Sequence, residues 1–389
     1  MIRLQRNIDI QSFDLEATVA VAAHRPEYLA VLQLAADLQR PLDAGTIHRE
    51  LFGDLPDSLG RIVLDRCILL GLFDREKRGA PAHLTDAGRA ALDRGDILIE
   101  EEGIWRVYYL DDPLLGRRLI HALPLDDKTT AQDVRNELKR DNKKVRTASA
   151  GLPALVREVS GSGITWASVV DSRAFELREP GMRGEAGPGT TLRLSLDWPE
   201  DRAMDVSLRG NLPLAGKQQV RVDQRIDIPK EVQSLTYHDL WLALVSLATN
   251  VPRTELLTWH SHTGQSLLPQ NFTELPEATR RTMRRDLEIP AHRYPILGTF
   301  EATKLTGLSI VPRRNSDAQE WAEWLEWDAL STYAVPDVLR ARSSEIAAKF
   351  PYHRPTPRTP DALLKHATMN PSDHKSRFLL APADLGLWS

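Results

Sequence analysis

Few side chains in this 389-residue chain have types and spacings that could do chemistry. His260 and His262 in "TWHSHTGQ" stand two apart, which on a strand would point both imidazoles to one side, as two metal ligands require. No carboxylate or third histidine of matching spacing accompanies them, so no resident metal is expected. In "VDQRIDIPK", alternation would put Asp223 and Asp227 on one strand face near Lys230, a set that could hold a divalent ion for hydrolysis. The glutamate that commonly precedes such a lysine is missing, with Ile228 and Pro229 in its place. His366, His374 and Lys375 lack a histidine-any-lysine spacing. Cys67, the only cysteine, lies in the apolar run "RIVLDRCILLGLF", the setting of an inert buried thiol, and a single cysteine excludes an intrachain disulfide or a multi-cysteine zinc site. There is no glycine-rich phosphate loop and no dinucleotide fingerprint, so the expectation is a chain without catalytic residues or cofactor.

Binding is the better-supported chemistry. Arg61 and Arg66 fall on a third helix, Arg75, Lys77 and Arg78 in a charged hairpin tip, and Lys139, Arg140, Lys143 and Lys144 in a basic helical stretch. Such cations would contact DNA phosphates, where counterion release supplies much of the affinity. Arg280, Arg281, Arg284 and Arg285 form a similar group on an expected short helix, which could meet phosphate or acidic residues of the same chain. Against this stand a formal net charge of −4 and, in residues 1–125, 15 basic against 20 acidic side chains. "EWAEWLEW" carries two parallel stripes, Glu320, Glu323, Glu326 and Trp321, Trp324, Trp327. Core packing under an acidic solvent face is one reading of them, and a partner-binding surface the other.

These residues need elements to position them. "PEYLAVLQLAADL" has the spacing of an amphipathic helix; Asp43 is suited to cap a second, "AGTIHRELFG", which Gly53 stops. "DLPDSLGRIVLDRCILLGLF" predicts a third, with Leu59, Ile62, Val63, Arg66, Leu69 and Leu70 spaced for one buried face. "LFDREKRGAPAHLT" reads as a hairpin, and "TDAGRAALDRG" as a helix capped by Thr85 or Asp86 and ended by Gly95. Residues 26–95 thereby resemble the winged-helix superfamily: "LTDAGRAAL" is similar to the leucine, threonine, glycine, leucine pattern that follows the wing in many bacterial winged-helix regulators. The resemblance covers under a quarter of the chain and implies a helix-turn-helix core whose third helix could enter a major groove with the wing on the backbone, or serve as a protein-interaction module.

The rest completes an α+β multidomain expectation. Residues 1–125 hold the winged helix with appended strands, including an alternating strand at "EEEGIWRVYYL"; 126–160 form a basic helical linker. Period-two segments in 161–232 predict an antiparallel β domain, sandwich or barrel, with "REPGMRGEAGPGTT" as a long mobile loop. Residues 233–389 are expected to be α-rich with an extended Pro-rich segment at 351–361. No run is long and apolar enough for a membrane span, and the charged N-terminus is unlike a signal peptide, so a cytoplasmic location is expected. The arginine-rich composition suggests a bacterial source. Together these features predict a non-catalytic, DNA-associated subunit of a bacterial multi-protein assembly, with antiviral defence or DNA processing as natural settings and other protein subunits as partners. A ligand-responsive homodimeric transcription regulator is the first alternative, and a metal-dependent nuclease built on Asp223, Asp227 and Lys230 the second.

Overall fold

The computed structural model describes residues 1–77, 79–125, 151–214, 218–229, 232 and 234–388. Its spine is a strand that begins at the second residue. β1 (Ile2–Ala23) is 22 residues long. Ile2, Leu4, Ile8 and Ile10 are buried while Arg3, Asn7, Asp9 and Gln11 are exposed, the period of two that a half-buried strand needs. After Ala23 the chain leaves the sheet for α1 (Pro26–Leu38), α2 (Ala44–Ile47, continued by a wider π-helical turn at His48–Phe52), α3 (Ser58–Leu69), the two-residue strands β2 (Phe73–Asp74) and β3 (His83–Leu84), and α4 (Asp86–Arg94). It returns as β4 (Ile97–Asp112) and β5 (Gly116–Pro124).

β4 pairs with the second half of β1 from Gln11↔Tyr109 up to Ala23↔Ile97. The helical module of residues 24–96 is therefore an insertion at the tip of a long β-hairpin. On the other edge of β1, β7 (Ala174–Ala186) and β8 (Thr190–Trp198) follow one another, from Val21↔Phe175 down to Ile2↔Trp198. β9 (Asp205–Pro213) and β10 (Gln219–Arg225) extend the sheet beyond β8, and β6 (Trp166–Ala167) pairs with β7. Val169 N–H donates to Ile120 O, which brings the end of β6 against β5. The strands of 161–232 thus share one eight-stranded antiparallel sheet with β1, β4 and β5, rather than forming a small sheet of their own. Alternation specifies which face of a strand is buried and leaves its partners open.

Two other expectations change. "REPGMRGEAGPGTT" is not a long loop: β7 runs through Ala186 and pairs with β1 across two register shifts. Its glycines serve close approach, since a Cβ at Gly184 would lie 2.3 Å from Asp14 O and 2.4 Å from the Phe13 ring. Of the expected linker, 126–150 lie outside the described residues, whereas α5 (Ala154–Val159) buries Leu155, Val156 and Val159 against Phe13, Leu15, Trp105 and Leu119.

The C-terminal region is mixed. It contains α6 (Tyr237–Ala248), α7 (Arg253–Thr263), β11 (Leu268–Gln270), α8 (Glu277–Thr282), β12 (Arg284–Ile289), β13 (His292–Tyr294), β14 (Gly298–Phe300), β15 (Thr303–Pro312), α9 (Asn315–Asp328), α10 (Pro336–Ala347), α11 (Pro360–Met369) and α12 (Arg377–Asp384). β15 lies between β11 and β12, and β13 pairs with β14. This region shares the main core with the sheet: Leu192, Leu194 and Leu196 belong to one apolar cluster with Trp241, Leu244 and Trp321. Arg6, which interrupts the apolar face of β1, fastens the two. Its Nη2 lies 2.6 Å from Asp112 Oδ1 and 2.9 Å from Leu297 O, and its guanidinium stacks over Phe300. Of the segment 351–361 expected to be extended, residues 351–353 turn and Pro360 begins α11, while 354–359 have no regular secondary structure and lie along α9 through Thr356 N–H to Gln319 Oε1 and an Arg358–Glu323 ion pair. No described helix is long and apolar enough to cross a membrane.

Candidate functional site

The inserted module is built from short-range devices. Asp43 caps α2 by accepting from Thr46 N–H at 2.7 Å, and Thr85 caps α4 by accepting from Gly88 N–H at 3.0 Å while its hydroxyl donates to Gly71 O at 2.7 Å. Gly95 ends α4 in the left-handed region (φ 74°). Two glycines let helices touch. A Cβ at Gly60 would fall 2.3 Å from Ala44 O, and one at Gly88 2.3 Å from Leu72 O, so α2 packs directly on α3 and α4 on the turn after it. A bridge between Leu42 and Ala82 joins the α1–α2 connection to the β2–β3 hairpin. Inside lies a separate core that includes Val31, Leu32, Ile47, Leu64, Cys67, Phe73 and Ala91. Cys67 is buried, as its apolar setting predicts, and burial pushes its thiol up to about 12.

The buried face of α3 differs from the expected one. Gly60, Leu64 and Cys67 point inward, whereas Ile62, Arg66 and Leu69 are exposed. The helix phase is set by the small residues that permit contact with α2, and Ile62 and Leu69 are left 54% and 73% exposed. Arg61 and Arg66 stand on this solvent side and have no ion pair or side-chain hydrogen bond among the described residues. Arg75 is engaged: its Nη1 lies 2.9 Å from Asp65 Oδ1 on α3. Lys77 is exposed. Arg78, Lys139, Arg140, Lys143 and Lys144 lie outside the described residues. Across residues 26–95 nine Lys and Arg face eleven Asp and Glu.

Compared with protein-family models, with curated proteins and with solved structures, the chain matches none. What the site can do rests on its own geometry.

One tryptophan of the stripe is buried and the other two are half-buried against the fold. Trp321 is fully buried in the main core and donates from Nε1 to Arg280 O at 2.9 Å. Trp324 packs against that core under the guanidinium of Arg280, and Trp327 packs against the small cluster of α10–α12, donating to Asp373 Oδ2 at 2.9 Å. The glutamate stripe is not a solvent face either, since Glu326 is buried and Glu323 pairs with Arg358. Of the four arginines expected on one helix, Arg280 and Arg281 end α8, Met283 turns through a left-handed φ of 52°, and Arg284 and Arg285 begin β12. Their partners are within the chain: Arg281 pairs with Asp328 at 2.7 Å, and Arg285 donates to Gln270 Oε1 at 2.6 Å. Arg281 and, on the other side, Lys375 hold the Asp328 carboxyl down to about 2.

His260 and His262 sit on the helix α7, where residues two apart diverge by about 160°. His260 instead stacks on His238, with ring centroids 3.3 Å apart. β10 ends at Arg225, so Asp223 and Asp227 do not share a strand; Asp223 is paired with Arg209 at 2.9 Å, and Lys230 lies outside the described residues. Among the described residues no group of three His, Cys, Asp or Glu is placed to hold a metal ion. The polar groups that sequence reasoning missed are buried. Arg106 makes a two-pronged contact to Asp14 at 2.6 and 2.7 Å, and His121 shares a 2.9 Å hydrogen bond with Ser168. Burial lowers the His121 imidazole to about 4. Only an in-facing position in an otherwise apolar alternation could have marked them.

Proposed function

We propose that residues 26–95 form a winged helix and that the chain acts as a non-catalytic binding subunit of a larger protein assembly. The observation that carries this reading is the placing of the module: an independent core inserted at the tip of the β1–β4 hairpin, with one side of α3 uncovered. The order of helix, bridge at Leu42, two helices with α2 seated on Gly60, and the β2–β3 hairpin supports the winged-helix reading. The body supports binding over chemistry, because Asp223 and Arg281, considered there for metal and phosphate contact, are engaged in ion pairs within the fold. Because Ala23 faces Ile97, a two-residue Asn-Gly turn can replace residues 24–96. That variant is expected to keep the sheet folded, by circular dichroism and melting, and to lose the co-purifying subunits that the full chain retains in its native host. Retention of the same subunits by the shortened chain would refute the reading.

DNA contact through α3 and the hairpin is the second reading, favoured by Arg61, Arg66 and Lys77 being free of acidic partners among the described residues. Binding of the full chain to a duplex should then fall steeply with salt and weaken in Arg61→Ala and Arg66→Ala. No binding at low salt removes DNA and leaves the assembly role standing.

A further inference from the structure

We propose that the exposed face of α3 is where two copies of this chain pair, with their α3 helices antiparallel about a two-fold axis between Asp65 and Arg66. Ile62 and Leu69 are seven residues apart, so they lie within about 20° of each other around the helix and about 10 Å apart along it. Asp65 and Arg66 lie between them on the same side. The axis sets Ile62 of one copy against Leu69 of the second, and Asp65 against Arg66, with each pairing made twice. A symmetric dimer needs a patch that is its own complement, apolar ends to apolar ends and acid to base, and this stripe has that order. Arg66 has no acidic partner among the described residues, and Asp65, paired with Arg75 of the hairpin at 2.9 Å, keeps its side chain about half exposed for a second cation.

The same stripe suits a duplex less well. Its ends are apolar and its centre carries a carboxylate beside Arg66, and the module as a whole has an acidic excess. Pairing would also cover both α3 helices, so it and groove reading through α3 are mutually exclusive. One helix pair buries less than the roughly 1,200 Å² of a standard interface, so the dimer should be weak and concentration-dependent. The inference deepens the binding role proposed for the module and rests on that reading only for the exposure of α3.

Sedimentation velocity of the full chain over rising protein concentration tests it. The wild type should shift from monomer to dimer, Ile62→Asp should remain monomeric, and Asp65→Arg should weaken pairing at least about tenfold by placing arginine against arginine. Adding Arg66→Asp to Asp65→Arg should restore it, because the reversed pair is again complementary, and this rescue decides the matter even if Ile62→Asp does not fold. A wild type that stays monomeric, a dimer indifferent to Asp65→Arg, or a double variant that fails to recover overturns the proposal. A monomer that still binds a duplex or its co-purifying subunits overturns pairing alone and leaves the module's binding role intact.

Discussion

The sheet and the module inserted in it are stabilised by different kinds of contact. In the sheet, residues far apart in sequence are joined by strand pairing and by buried charges: Arg106 to Asp14 across β4 and β1, and Arg6 to Asp112. In the module, contacts are close in sequence and almost wholly apolar, assisted by caps and by glycines at helix crossings. A buried ion pair contributes little net stability yet is costly to break from one side, whereas a local contact fails gradually. The sheet should therefore lose structure all at once and the module piecemeal.

The largest expected effect is at Arg106. Arg106→Ala leaves the Asp14 carboxylate buried and unpaired, and should destabilise the body by about 3–5 kcal/mol in denaturant melts. Arg106→Met with Asp14→Leu should be much milder. If the single variant costs no more than a surface change, buried charge is not what distinguishes the body. Next is His121, neutral in the fold. Its pKa falls from an ordinary 6.5 to about 4, so its contribution is present above about pH 6.5 and lost as pH falls toward 4. The loss is on the order of 3 kcal/mol, and melts of His121→Gln should show a flatter acid limb than wild type. In the module, Gly60→Ala forces a methyl against Ala44 O and should cost about 1–3 kcal/mol. Hydrogen exchange should report that loss in residues 26–95 alone, and a matching loss in the sheet would mean the two regions are one cooperative unit. Smallest is Thr85→Ala, about 1 kcal/mol from the lost cap on α4, again confined to the module.

The same contrast explains what was legible in the sequence. Asp43, Thr85, Gly53 and Gly95 act within a few residues, and each does what its type predicts. β8 to β10 and the start of β7 were legible as strands for the same reason, whereas the glycines and proline of "REPGMRGEAGPGTT" hid the rest of β7. The partners of these strands were not legible, because β8 pairs with residues nearly 200 positions away and alternation carries no address. β1 was missed although Ile2, Leu4, Ile8 and Ile10 alternate plainly; Arg6 at an inward position masks the pattern. On α3 the bulky residues suggest the wrong face, since Gly60 and Cys67 mark the contact by being small. The tryptophans of α9 were legible as one stripe, and only packing against both Phe272 and the α10–α12 cluster tells that they are turned toward the fold.

The order in which the strands are made has a consequence for synthesis. β1 leaves the ribosome well before β8, so Ile2 to Ile10 have no such partner until Thr190 to Trp198 exist. At translation rates of about 5–20 residues per second, that apolar edge waits on the order of ten seconds or longer. The module, whose contacts close within its own 70-odd residues, can fold during that interval. Slowed elongation before residue 198 should therefore favour aggregates that contain folded modules joined through unpaired β1.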